Sequence, residues 1–276
     1  MAEVSVVEFG DGDRKLVIGM VHLDPLPGTP FHRDGSLPEI IEAAVAAARA
    51  LQLGGADGCL IQSVDRVYPT GEEVDPARVG AMALVVRAVV ESTGGEFSVG
   101  VHLLRNAARA SLAVARVAGG SFVRADALVG RTLSANGIVQ PDPLSVMAYR
   151  RSIDAFGIRM FADIDSMHYR WTGRKSTAEV ARYAVTAGAD AVCVSHPDVN
   201  RTLDTVASIR ATTEVPIVIA GRTDHSNVTK LIQNAHGVFV GTCLKSDRPG
   251  SPIDLEKVRR YVAAVREAEG LPGAAV

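Results

Sequence analysis

Residues 216–245 read PIVIAGRTDHSNVTKLIQNAHGVFVGTCLK. Two short apolar runs, Ile217–Ala220 and Val238–Val240, each lead straight into a glycine, Gly221 and Gly241. Between them, Asn227 to Ala235 carries helical spacing. The order is strand, glycine turn, helix, strand, glycine turn. In a closed parallel barrel, the last two such turns build a phosphate site from backbone N–H groups. Glycine suits that place, because a Cβ would hold the chain off the anion and the turn can require φ > 0. A helical turn starting after Gly241-Thr242 would aim its N–H groups and dipole at the same point. A plain strand-to-helix turn also uses glycine, so the rest of the chain has to decide between the two readings.

Working outward, the pattern repeats. Leu16–Leu23 (LVIGMVHL) reads as a first strand, followed by the proline-rich turn Pro25–Pro30 and a helix from Ser36 to Leu53. Ser36 with Glu39 predicts a capping box, and Asp75-Pro76 predicts the start of the second helix. Further strands are expected at Gly58–Gln62, Phe97–Leu103, Phe122–Ala125, Arg159–Ile164 and Ala191–Ser195. Helices are expected at Asn106–Ala118, Pro143–Phe156, Thr177–Ala187, Val199–Ala211 and Asp254–Ala268. Residues 127–142 and 166–175 read as loops. The strands are apolar throughout, as in a parallel sheet buried on both faces. Eight β/α units in about 250 residues predict a single (β/α)8 TIM barrel of the α/β class. One domain is expected over residues 1–276, with an N-terminal extension (1–14) and a C-terminal tail (270–276). A doubly wound open sheet is the alternative, but no GxGxxG follows the first strand.

Composition narrows the function. Hydrophobic residues make up 47% and the net charge is −2, so no electrostatic case exists for nucleic acid or an anionic membrane. Cys59, Cys193 and Cys243 sit in or beside apolar runs and read as buried free thiols, which fits a cytoplasmic protein. No apolar run approaches the roughly 20 residues of a membrane span, and the first residues lack a signal-peptide core. A homo-oligomer is expected on the general habit of soluble enzymes. The Ala/Arg/Val-rich composition suggests a bacterial source.

Chemistry in such a barrel collects at the C-terminal ends of the strands. There the chain places His22 and Asp24, Gln62 and Asp65, His102 and Arg105, Arg124 and Asp126, Asp163, Asp165 and His168, and Ser195 and His196. The last two turns add Gly221, Arg222, Thr223, Gly241, Thr242 and Lys245. His22, His102, Arg124 and Asp163 interrupt apolar runs, and buried polar groups need partners. Asp163 is the first choice for catalysis, as general base or as a carboxylate steadying a cationic transition state. Its alternative is a structural carboxylate paired with Arg124. His22 and His102 are general acids or substrate-orienting groups, or else hydrogen-bonded core histidines; Arg124 and Asp126 assist. Gly221, Arg222, Thr223, Gly241, Thr242 and Lys245 are expected to hold substrate or phosphate, with Ser195, Asp24 and Gln62 on the substrate wall. No cofactor is called for. A divalent metal at His22, His102, Asp163 and His196 is a minor alternative, because residues 22–24 are His-X-Asp rather than His-X-His and strand seven ends without a histidine.

The motifs IGMVHLDPLPGTP (Ile18–Pro30), LGGADG (Leu53–Gly58), GVHLLRNAARASLAVA (Gly100–Ala115), SFVRADALVG (Ser121–Gly130), FADID (Phe161–Asp165), GVFVGTCLK (Gly237–Lys245) and PIDLEKV (Pro252–Val258) together resemble the BtpA family. The resemblance implies a phosphate-binding (β/α)8 barrel. Family members are linked to photosystem I accumulation, and others look like sugar-metabolism or nucleosidase-like enzymes. Departures are visible. The family's Thr-Asp-Gln-Gly in the strand-four loop is Ser134-Ala135-Asn136-Gly137, and its strand-six phosphate-type segment is Ser195-His196-Pro197-Asp198-Val199-Asn200. The family's Gly-Ser-Gly after strand seven is Gly221-Arg222-Thr223, which removes a close-approach glycine but adds a guanidinium able to hold phosphate bidentately. The expected function is an enzyme on a phosphorylated sugar or nucleotide-like substrate, acting at the anomeric carbon or as a lyase or isomerase in biosynthesis. The alternatives are a non-catalytic assembly factor of the photosystem-associated type and a metal-dependent barrel hydrolase.

Overall fold

The computed structural model describes residues 14–166, 168, 170–246 and 251–269. The expected tail and all but Arg14 of the expected N-terminal extension lie outside the described residues. The elements in chain order are β1 (Leu16–Leu23), α1 (Leu37–Leu53), β2 (Gly58–Ser63), α2 (Pro76–Thr93), β3 (Ser98–His102), α3 (Ala108–Ala118), β4 (Phe122–Ala125), β5 (Thr132–Ser134), β6 (Gly137–Val139), α4 (Pro143–Ser152), β7 (Arg159–Asp165), β8 (Arg170–Trp171), α5 (Thr177–Thr186), β9 (Ala191–Val194), α6 (Val199–Arg210), β10 (Ile217–Ala220), α7 (Val228–Ile232), β11 (Gly237–Val240) and α8 (Leu255–Glu269), with a 3-10 turn at Thr242–Leu244.

Eight parallel strands close in the order β1-β11-β10-β9-β7-β4-β3-β2. This is the (β/α)8 barrel. Closure is made by β1, which pairs β11 on one side and β2 on the other. Alternate residues of each strand face the barrel axis. Ile18, Met20, Leu60, Phe122, Phe161, Val218 and Phe239 form the inner core, while the opposite faces pack against the helices. The Phe122 and Phe161 rings stack with centroids 5.0 Å apart. They fit because β3 offers Gly100, where a Cβ would come within 2.2 Å of the Phe122 ring. The floor of the barrel is therefore solid, and any cavity has to open above it.

Three local expectations are corrected. Residues 127–142 and 166–175 are not simple loops. They contribute a small antiparallel sheet of order β6-β5-β8, with Thr132 opposite both Val139 and Trp171. Strands this short have no sequence signature of their own. What holds them is Trp171 packed on Gly130, whose φ is +80° and whose Cβ would overlap the indole. Ser36 does not close a capping box: its hydroxyl donates to Arg33 O at 2.6 Å, and Glu39 pairs with Arg33 instead. A complete box forms at Ser176 and Glu179. The seventh helix is cut to five residues because Asp224 Oδ1 draws the N–H groups of Ser226 and Asn227 into a turn first. No helix among the described residues is long and apolar enough to cross a membrane.

Candidate active site

The two-residue period that fills the floor also builds the site. One step above Met20, Leu60, Phe122 and Phe161 on their strands stand His22, Gln62, Arg124 and Asp163. All share the inward register. Strand pairing sets His22 beside Gln62 and Gln62 beside His102. A β-bulge between Asp163 and Asp165 interrupts β7 against β9, so Asp163 stays opposite Cys193 and aimed inward.

His102 is buried with one ring nitrogen toward each neighbour. Its Nδ1 lies 3.0 Å from Gln62 Oε1, and its Nε2 lies 3.1 Å from Asp126 Oδ1. The second approach lacks hydrogen-bond alignment, so the carboxylate flanks the ring without bonding to that nitrogen. The other oxygen of Asp126 accepts from the Asn106 N–H at 3.2 Å, and Asn106 Oδ1 accepts from Ala127 N at 2.9 Å. Asn106 can do this because it adopts φ +53°, which asparagine tolerates better than most residues. The turn after β3 thus clamps the turn after β4 and fixes the Asp126 carboxylate beside His102.

Arg124 and Asp163 make a bidentate ion pair, Nε to Oδ1 at 2.9 Å and Nη2 to Oδ2 at 2.8 Å. The guanidinium lies 5.2 Å over the Phe239 ring. Burial pushes the Asp163 carboxyl up, and Arg124 pulls it back down. His22 is lowered to about 4, first by burial and then by Lys245, Arg124 and His102. Its ring is nonetheless accessible to water from above, because it forms part of a cavity wall with protein packed beneath it. At neutral pH it is an uncharged imidazole. It can accept or donate a hydrogen bond there but brings no charge.

The β10 and β11 turns complete the ring. Gly221 has φ +118°, and nothing lies within 4 Å of where its Cβ would be. Arg222 follows at φ +59°, a conformation that favours glycine; Asn227 Nδ2 donates to its carbonyl at 3.0 Å. Thr223 is buried, and its hydroxyl accepts from Tyr261 OH at 2.7 Å, which ties this turn to α8. A Cβ on Gly241 would come within 3.0 Å of Met20 Cβ and 3.4 Å of His22 Cε1, so glycine lets the turn lie against the first strand.

One cavity of 1790 Å³ opens over these groups at the C-terminal ends of the strands. His22, Asp24, Gln62, His102, Arg124, Asp126, Gly221, Arg222, Thr223, Gly241, Thr242 and Lys245 all line it. Asp163 and Ser195 do not: Asp163 sits beneath Arg124, and Ser195 is buried. The alternative reading of Asp163, a carboxylate paired with Arg124, is what the geometry displays. Asp65 is likewise structural, paired with Arg78, which also donates to Ser63 Oγ at 2.7 Å. Among the described residues no group of three or more His, Cys, Asp or Glu side chains is placed to hold a metal. His196 turns into its own loop and accepts from Asp198 N at 3.0 Å. Tyr68, Phe31 and Lys257, which sequence reasoning passed over, also reach the wall. The two aromatics lie in aperiodic loops and so left no signal. Among the described residues the wall carries seven Arg or Lys side chains against four Asp or Glu, a cationic site in an acidic chain.

The BtpA family matches residues 13–267, a span that includes all eight barrel strands. The chain belongs to the BtpA family. One relative, the photosystem I biogenesis protein BtpA of Synechocystis sp., is 32% identical over 266 residues, covering 92% of this chain and 88% of its own. An uncharacterized protein of Archaeoglobus fulgidus is also 32% identical, over 91% of this chain and 99% of its own. Among solved structures, tryptophan synthase from M. tuberculosis superposes with a TM-score of 0.62 at 17% identity, over 95% of this chain and 99% of its own. 3-Hexulose-6-phosphate synthase superposes with a TM-score of 0.56 at 14% identity, over 91% and 99%. These likenesses show the barrel fold. Within the BtpA-family barrel, Arg222 stands in a left-handed backbone position that glycine occupies without strain.

Proposed function

We propose that this BtpA-family barrel is an enzyme acting on a phosphorylated sugar or nucleotide-like substrate. The observation that carries the reading is the cationic cavity in which the open backbone at Gly221, the Gly241-Thr242 turn, Arg222 and Lys245 face the same space as His22, His102 and Asp126. The phosphate is held by the two turns and by the Arg222 and Lys245 charges. The reacting carbon lies toward β1, β3 and β4. There His102, oriented by Gln62 and flanked by Asp126, moves the proton, and His22, neutral at pH 7, positions a hydroxyl. Arg124, fixed by Asp163, offers a stationary positive charge to an oxygen that becomes anionic. A bond-breaking or bond-forming step at the anomeric carbon, or a lyase or isomerase step, uses this set. Solved barrels named for phosphate-bearing compounds, such as thiamine phosphate pyrophosphorylase from Pyrococcus furiosus (TM-score 0.57, 15% identity, 94% of this chain and 98% of its own), agree with the reading through their fold.

The test is a thermal-stability screen of phosphosugars, nucleotides and their dephosphorylated forms. A ligand at about 100 times its Kd adds roughly 2.7 kcal/mol. Stabilisation by phosphorylated compounds alone supports the reading. No shift from any of them in folded protein sinks it. A second reading, a biogenesis factor that binds a partner protein, draws on the name of the Synechocystis relative and on the exposed cross-strand pair Leu133 and Ile138 of the small sheet. Co-purification of a defined partner through that sheet, lost in Leu133→Asp, would favour it.

A further inference from the structure

The small antiparallel sheet joins loops that a plain barrel leaves separate. β5 and β6 belong to the segment after β4, and β8 belongs to the segment after β7. Thr132 pairs with Trp171, and Leu133 with Arg170. Just beyond, the N–H and the hydroxyl of Thr172 both donate to Arg131 O, at 3.1 and 2.8 Å. The sheet also lies against the segment after β2, where a Cβ on Gly137 would come within 3.2 Å of Thr70 Cγ2.

His168 stands in the short span between this sheet and the end of β7. Its N–H donates to Ser166 Oγ at 3.3 Å on one side, and β8 begins at Arg170 on the other. The span is thus anchored at both ends, and His168 lines the cavity. In the closed ring β7 stands four strands from β1. The loop carrying His168 and the strand end carrying His22 therefore face each other across the barrel axis, over one shared space. Burial, then Arg105 and Arg124, hold the His168 ring below its ordinary value against the opposing pull of Asp163 and Asp126. Both rings are uncharged imidazoles at pH 7. Such a ring offers one donor and one acceptor, which suits a hydroxyl, and it brings no charge to attract a phosphate.

We propose that His168, carried by the small sheet, is a substrate-contacting residue that binds a sugar hydroxyl opposite His22 while the phosphate rests on the Gly221 and Gly241 turns. The inference rests on the phosphate reading above and narrows its substrate class to a phosphorylated sugar with free hydroxyls, as against a phosphate ester of an apolar group. The sheet acts through His168: Trp171 packed on Gly130 fixes β8, and β8 fixes the span that presents the imidazole. Gly130 is accordingly a positioning residue for the site, although it lines no part of the cavity.

The test is calorimetric titration of the full chain with ribose 5-phosphate and with pentyl phosphate, a phosphate ester of similar length without hydroxyls, repeated on His168→Ala, Gly130→Ala and the double variant. Ribose 5-phosphate is expected to bind the wild-type chain at least about tenfold tighter than pentyl phosphate, the scale of one hydrogen bond made in a water-poor site. His168→Ala weakens ribose 5-phosphate by about tenfold and leaves pentyl phosphate within about twofold. Gly130→Ala gives the same pattern, and the double variant loses no more than either single one, because both changes remove one contact. A loss shared equally by the two ligands marks a merely structural role and overturns the proposal, as does an unchanged ribose 5-phosphate affinity in His168→Ala. Additive losses in the double variant overturn the role of the sheet. If Gly130→Ala fails to fold, the His168→Ala comparison still decides the contact. Equal affinities of the two ligands in the wild-type chain sink the hydroxyl contact and leave the phosphate reading standing. If neither ligand binds, the phosphate reading falls and the proposal with it.

Discussion

Arg124 and Asp163 are joined by two parallel hydrogen bonds of 2.9 and 2.8 Å, with both side chains buried and only the arginine reaching the cavity. The arrangement makes Asp163 the support of a fixed cation. Asp163→Asn leaves that cation buried without a counter-charge. The expected loss is about 3–5 kcal/mol, read as a lower urea midpoint. The double change Arg124→Met with Asp163→Leu is expected to cost less than Asp163→Asn alone, because no orphan charge remains. A mild Asp163→Asn and a severe double change would show that the pair does not work this way.

Stability depends on pH through two lowered histidines. His22 and His236 are each held at about 4, burial being the main cause in both, with Lys245 and Arg124 acting on the first and Arg210 and Lys15 on the second. The unfolded value is about 6.5. The unfolded chain therefore takes up protons first as pH falls. Stability from both groups is complete above about 6.5 and drains away toward 4. His236 has a visible mechanism, since its Nδ1 accepts from Ile217 N at 3.0 Å and a proton there breaks the bond. The urea midpoint should fall between pH 7 and 5, and less steeply in His236→Gln. A flat profile would contradict the assignment.

Arg222 sits at φ +59° while lining the cavity. A non-glycine residue in that region costs about 1–2 kcal/mol, partly offset by the greater chain entropy glycine brings to the unfolded state. Arg222→Gly should raise stability by up to about 1 kcal/mol and at the same time weaken binding of inorganic phosphate. Such opposed effects identify a strained residue kept for its side chain. A variant that is less stable would mean that the arginine's contacts outweigh its backbone strain.

The small β6-β5-β8 sheet depends on Gly130. Its Cβ would lie 1.5 Å from the Trp171 ring, and its φ of +80° is unfavourable for alanine. Trp171 is the sole tryptophan of the chain, so its fluorescence reports the packing of this one ring, which lies against Gly130 and Gly173. Gly130→Ala should expel the indole and shift its emission to the red while the far-ultraviolet spectrum of the barrel stays unchanged. Unshifted emission would mean that the sheet is held by something other than this packing.

The sequence by itself determined the barrel and the contents of its mouth. Eight apolar strands with helices between them favour a closed parallel barrel over an open sheet, and their two-residue period turns His22, Gln62, Arg124 and Asp163 inward above a phenylalanine floor. The Gly221 and Gly241 turns were legible for the same reason, since each ends an apolar run at the mouth where the cavity opens. Tertiary structure alone decided which polar group meets which. Arg124 and Asp163 lie 39 residues apart, and Gln62 and His102 lie 40 apart; no local pattern encodes either pairing. It arises when parallel strands adopt a register and each buried charge takes the nearest compensating group. The same choice withdrew Asp163 from the cavity and set Asp126 beside His102. It also set Arg105 on Tyr68, a contact between two loops whose side chains follow no period and meet only because the barrel brings β2 and β3 together.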